Sequence, residues 1–184
     1  MIIELGHFAL VLALVVSLLT FLVPLWGMRQ NDPAIMAFAG PGAMVQFLLV
    51  LYSFAALTWA YVSSDFSVKN VFENSHTDQP VIFRISGVWG NHEGSILLWV
   101  LILVLFGACV AAFGRNIPHA LRSVTIAVQS SISLAFLAFI LFTSNPFTRL
   151  APAPVEGRSL NPVLQDFGLA IHPPLLYLGY VGFS

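Results

Sequence analysis

Four uninterrupted apolar runs, at residues 8–26, 43–62, 96–113 and 124–142, constrain this chain more than any other feature. Each approaches the ~20 helical residues that cross a bilayer. Lipid offers backbone groups no water, so each run reads as an α-helix. None contains Asp, Glu, Lys, Arg or His; all seven basic and all eight acidic residues lie outside. Charged residues make up 8% of the chain, against roughly 25% in a soluble domain, and mean hydropathy is +0.89. So little charge cannot cover a soluble core. The net charge of −1 points to no nucleic-acid partner and no polybasic lipid anchor. A fifth apolar run opens at Pro173 and is too short to span before Ser184. The expected fold is all-α: a polytopic transmembrane helical bundle of four full spans plus the start of a fifth.

The first run reads as an uncleaved span, because Met1-Ile2-Ile3-Glu4 carries no basic residue and no A-x-A site follows. Pro24 falls near its end, where a proline costs little helix. Ser17 and Thr20, three apart, suit contact with a neighbouring helix. Orientation follows from the loops. Arg29, Arg115 and Arg122 sit in the two short ones, whereas Lys69, Arg84, Arg149 and Arg158 are diluted by acids in the two long ones. The positive-inside bias then predicts Arg29 and Arg115 in the cytoplasm, with the N-terminus and both long loops outside.

The long loops hold the chemistry. The first, about residues 63–91, ends in Trp89-Gly90-Asn91-His92-Glu93-Gly94-Ser95. Helix from about Val88 would place His92, Ser95 and Trp99 on one face. Gly90 and Gly94 would fall on another, at a spacing that admits a neighbouring helix or a flat ligand. An ordinary aromatic belt with a G-x-x-x-G contact explains the same residues. The second loop, 143–171, is proline-rich, then offers Asn161 as a cap, Pro162 at the first helical position, and Leu160, Leu164, Phe167 and Ile171 near helical spacing. This predicts an amphipathic helix lying in the membrane interface. It would deliver His172 to the boundary, extended ahead of Pro173-Pro174. A neutral imidazole there, at the positive end of a helix dipole, has the form an iron ligand needs. A capping or interface histidine without metal is the reading these residues favour on chemistry alone.

The remaining histidines lack metal spacing: His7 precedes the first span, His76 lies in a polar stretch, and His119 follows a short turn. His92-Glu93 is not H-E-x-x-H, so zinc chemistry is not expected. The single cysteine, Cys109, lies within the third span. There is no C-x-x-C-H, so this stretch is not itself a c-type cytochrome.

Trp89–Ser95 together with Leu160-Asn161-Pro162 and Ile171-His172-Pro173-Pro174-Leu175-Leu176-Tyr177 resembles the haem-handling proteins of cytochrome c maturation, and among them the family of haem lyase F subunits, CcmF. The resemblance covers essentially the whole chain. It implies residues 1–88 as a two-span segment with its first long loop, and 89–184 as the start of a haem-handling domain. It implies a haem lyase subunit of the bacterial inner membrane, working outside the cytoplasm with apocytochrome c, a haem-delivery chaperone and other maturation subunits. His172 is implied as an external ligand of haem iron, with Trp89, Gly90 and Gly94 as a haem or partner surface; no catalytic residue is assigned. It further implies a tryptophan-rich segment, a second external histidine and intramembrane histidines beyond Ser184, making this stretch half a site. Ser159 departs from the pattern, which has an acidic residue there, and Phe167 departs as well. Two other classes fit the composition: a haem or ion transporter subunit, and a structural assembly subunit without haem ligation. The spans' lack of ionisable residues counts against transport.

Overall fold

The computed structural model describes residues 1–183. Its elements are α1 (Ile2–Arg29), α2 (Pro33–Met36), α3 (Ala39–Val62), α4 (Lys69–Asn74), α5 (Val81–Gly87), α6 (His92–Phe113), α7 (His119–Phe142) and α8 (Phe167–Val181). The segments Ile2–Arg29, Pro33–Val62, His92–Asn116 and His119–Phe142 are long and apolar enough to cross a membrane. At 1.5 Å per residue, even α6 is about 33 Å long, enough for the ~30 Å hydrocarbon core.

These four helices form a bundle in which α1 and α6 each pack against both α3 and α7. Leu10, Val50, Leu57, Leu137 and Ile140 are fully buried along its axis. Phe8, Leu22, Leu48 and Val128 stay exposed on the outside, as lipid-facing positions do. Polar side chains tie the spans together. The Gln46 amide donates to the Ser17 hydroxyl at 2.7 Å, and Ser130 donates to Gln46 Oε1 at 3.2 Å. A Cβ on Gly42 would lie 2.3 Å from Thr20 Oγ1, so only glycine lets α3 approach α1 so closely. Ser17 and Thr20 thus meet a neighbouring helix, as their spacing suggests.

The N-terminus and both long loops share one end of the bundle. Arg149 bonds Glu4, Asp65 and Ser67 there. Backbone bonds join Lys69 to Thr148 and Leu150 to Ser67, each 2.8 Å. The turn before α3 and that before α7 meet at the other end, where Ser123 donates to the Met36 carbonyl at 3.1 Å. Arg29, Arg115 and Arg122 belong to that end.

The chain after residue 160 departs from expectation. One amphipathic helix through Ile171 does not form. Asn161 caps only a 3₁₀ turn, Pro162–Leu164, its Oδ1 accepting from Val163 N at 3.0 Å. α8 then starts afresh behind Asp166, whose Oδ1 accepts from Leu169 N at 3.1 Å. His172 is therefore not extended; it sits in the second turn of α8, and both prolines lie inside the helix. A helix already begun five residues upstream overrides the local preference of the residue before proline.

Candidate functional site

The tryptophan motif is a turn between α5 and α6, pinned by one carboxamide. Asn91 is extended (φ −136°, ψ 169°) and its Oδ1 accepts from Gly94 N at 2.9 Å, capping α6. Its Nδ2 donates to the Gly87 carbonyl at 2.8 Å and to the Tyr61 hydroxyl at 3.0 Å. Tyr61 in turn donates to Asn70 Oδ1 at 2.6 Å, and Asn70 Nδ2 donates to Asn91 Oδ1 at 2.8 Å and Glu93 Oε2 at 3.3 Å. Tyr61 and Asn70 are buried, so this network joins α3 and α4 to the turn where water is excluded.

Because α6 starts at His92, Gly90 precedes the helix and no G-x-x-x-G face forms. Each glycine serves the turn itself. A Cβ on Gly94 would fall 1.6 Å from the Val88 carbonyl oxygen, and one on Gly90 would lie 3.0 Å from Leu160 Cδ1.

Beside the turn lies a cleft of about 480 Å³, within the ~300–1,000 Å³ range of small-ligand sites. Ser86, Trp89, Gly90, His92 and Ser95 form one wall; Leu160 and Leu164 join Leu169, Ala170, Pro173 and Tyr177 of α8 in the other. Two hydrogen bonds cross it. The Trp89 indole N–H donates to the Ala170 carbonyl at 2.8 Å, and the hydroxyls of Ser95 and Tyr177 share a short bond. A second cleft of about 290 Å³ continues past Ser95 between Trp99, Phe136, Tyr177 and Tyr180. The face bearing His92, Ser95 and Trp99 therefore lines both.

His172 is not in either lining. At 100° per residue it points a quarter-turn or more away from Pro173 and Tyr177. Its side chain is exposed and makes no hydrogen bond or ion pair among the described residues. Exposed Leu169, Leu175 and Leu176 surround it one turn away. That arrangement fits haem iron in one respect, an accessible imidazole set in an apolar face. Among the described residues no group of three His, Cys, Asp or Glu side chains converges, so the face offers iron one ligand.

Three of the other four histidines have partners, whereas His119 is exposed at the opposite end of the bundle. His7 bonds Asn145 at 3.0 Å and stacks on Phe147, and His92 meets the Phe139 ring edge-on. His76 lies 3.6 Å from Asp78 and 3.9 Å from Glu156. Thr77 donates both its hydroxyl and its amide to Glu156, clasping the two long loops. Those bonds from Thr77, with one from Gly157 N, hold the Glu156 carboxyl below its ordinary range. Burial pushes the Asp65 carboxyl up, but bonds from Ser67 and Arg149 and the guanidinium charge outweigh it and leave the group lowered.

The contacts of Tyr61, Asn70 and Tyr177 with the motif escape sequence reasoning. Each approaches the motif from 21 to 82 residues away, and nothing local marks the pairing. Asn91 had a local signal, a cap-forming residue three before Gly94 at the head of an apolar run.

The model of the family described as cytochrome C assembly protein matches residues 89–184. The chain is 65% identical over its whole length to the cytochrome c-type biogenesis protein CycK of Rhizobium meliloti, covering 27% of that protein. It is 48% identical over 98% of its length to the cytochrome c-type biogenesis protein CcmF of Escherichia coli, covering 28%. A solved structure titled Cytochrome c Heme Lyase CcmF superposes with a TM-score of 0.83 at 28% identity, covering 99% of this chain and 28% of that one. The chain thus spans little more than a quarter of the length of these relatives.

Proposed function

The chain belongs to the cytochrome c assembly protein family, and on that premise we propose that it forms part of a membrane haem lyase subunit for c-type cytochrome biogenesis. It would hold haem at the periplasmic face of the bacterial inner membrane and present it to apocytochrome c. A haem-delivery chaperone and the other maturation subunits are the partners this reading requires. The observation that carries it is His172: an imidazole without a partner among the described residues, on an apolar face, at the bundle end that bears both long loops. A polar ring in such a face is costly unless it binds something, and iron ligation removes that cost.

When bound, haem would supply a Lewis-acidic iron and vinyl groups to which cysteine thiols add. His172 would be the residue that holds and orients it. The Trp89–Gly94 turn, held by Asn91, Tyr61 and Asn70, would be a rigid surface for a partner or for the part of the haem that reaches round α8, since His172 itself points away from it. In this reading residues 89–184 form the haem-handling part and residues 1–88 buttress it. The test is cytochrome c maturation in cells carrying the full-length protein. His172→Gly should insert normally yet abolish holocytochrome, with partial return on adding imidazole; His119→Gly, at the opposite end, should mature cytochrome normally. Equal maturation by the two variants would overturn the assignment.

A further inference from the structure

We infer that Trp89 is a positioning residue for His172, acting through the carbonyl that Pro174 leaves open. This rests on the haem-ligand reading of His172. Within a helix the carbonyl of Ala170 would accept from the N–H of residue 174, and proline has none. Ala170 is buried, and a buried carbonyl needs a donor, the more so where lipid replaces water. The Trp89 indole supplies it, at 2.8 Å across 81 residues.

That bond determines more than one carbonyl. α8 rests on α5 and α6 along Ala170, Pro173, Tyr177 and Val181, the last packed on Leu98, Ile102 and Leu103. Val181 grips the far end and the Ser95–Tyr177 bond the middle. Trp89 holds the end nearest His172. Side chains reach about 5–6 Å from a helix axis, so a 20° roll of α8 would carry the imidazole roughly 2 Å sideways. Metal–ligand distances tolerate about 0.2 Å. The indole suits this task because the Asn91 network fixes its turn and Gly90 lets Leu160 close over it.

The test is a double-mutant cycle on the full-length protein, read by haem retention and by the spin-state bands of its resonance Raman spectrum. Trp89→Phe keeps an aromatic ring and removes the donor. It should shift haem toward the high-spin, weakly ligated form and weaken retention about two- to tenfold, the scale of one hydrogen bond. Pro174→Ala gives Ala170 a donor from within α8, so in that background Trp89→Phe should change neither readout. An equal effect of Trp89→Phe in both backgrounds, or none in the wild type, would overturn the inference. A merely structural role would lower the melting temperature with the same dependence on residue 174 but leave the spin-state bands unchanged. His172→Gly separates the two failures. Should it abolish the ligand signature while Trp89→Phe leaves it intact, only the positioning role falls; should it leave the signature unchanged, the ligand assignment falls and the positioning role with it.

Discussion

Asn91→Ala should destabilise the protein by far more than the loss of a helix cap. The cap to Gly94 N accounts for about 1 kcal/mol. The same carboxamide serves the buried Gly87 and Val88 carbonyls and accepts from Asn70, adding about 1–2 kcal/mol once membrane-protein values near 0.6 kcal/mol per bond are allowed for. Tyr61 keeps Asn70 as its acceptor and Asn70 keeps Glu93, which limits the damage. The sum of about 2–3 kcal/mol corresponds to a fall of roughly 4–12 °C in Tm for a domain of 150–250 residues, and to a smaller fall in the longer full-length protein. Asn91→Asp discriminates further. It retains the cap acceptor but loses every donation and sets a second carboxylate near Glu93, so it too should melt early. Thermal unfolding of the full-length protein at one scan rate is the assay, with Asn161→Ala as reference because Asn161 caps only an exposed 3₁₀ turn. An Asn91→Ala protein melting no lower than Asn161→Ala, or an Asn91→Asp protein melting like wild type, would refute the reasoning.

Three further outcomes follow from the same geometry. Gly94→Ala forces a methyl into the Val88 carbonyl and should cost at least about 3 kcal/mol, while Gly40→Ala, with nothing within 4 Å of its Cβ, should melt no lower than wild type. Glu156 and Asp65 have lowered carboxyl pKa values, so the unfolded chain binds protons more readily than the folded one. Their stabilisation is complete above the unfolded value near 4 and is lost as pH falls through the lowered folded values. Hydrogen exchange at the Thr77 and Gly157 amides, both bonded to Glu156, should report constant protection from these carboxylates above about pH 5 and weakening in acid; the reverse trend would contradict the clasp. With Cys109 replaced, a cysteine at exposed Asp78 should react with a membrane-impermeant thiol reagent on spheroplasts, and one at Asn116 should not; the opposite pattern would invert the proposed orientation.

The spans were legible because an apolar run in lipid has one structural solution. The helices nevertheless begin earlier than the runs, at Ile2 against 8 and at His92 against 96. Hydropathy stops at the first polar residue, whereas a helix continues to its cap. α4 and α5 went unread, since short loop helices are held by tertiary contacts such as Asn70 to Tyr61. At His172 the local proline rule pointed to an extended residue, but the Asp166 cap upstream and the Trp89 donor from α5–α6 carry the helix through. The motif's residues were visible as a group. Their division of labour was not, because Gly94 and Asn91 face their own turn while Trp89 reaches across to α8.

The most direct test of the account is whether the His172 ring touches iron. Purified full-length His172→Gly, reconstituted with haem and then with imidazole, should regain an iron–imidazole vibration that shifts when the added imidazole is ¹⁵N-labelled. Wild type should show the same vibration without added ligand, shifting only after ¹⁵N-histidine labelling. A His172→Gly protein whose iron–histidine bands match those of wild type in number and frequency, with no isotope shift from added imidazole, would contradict the central claim.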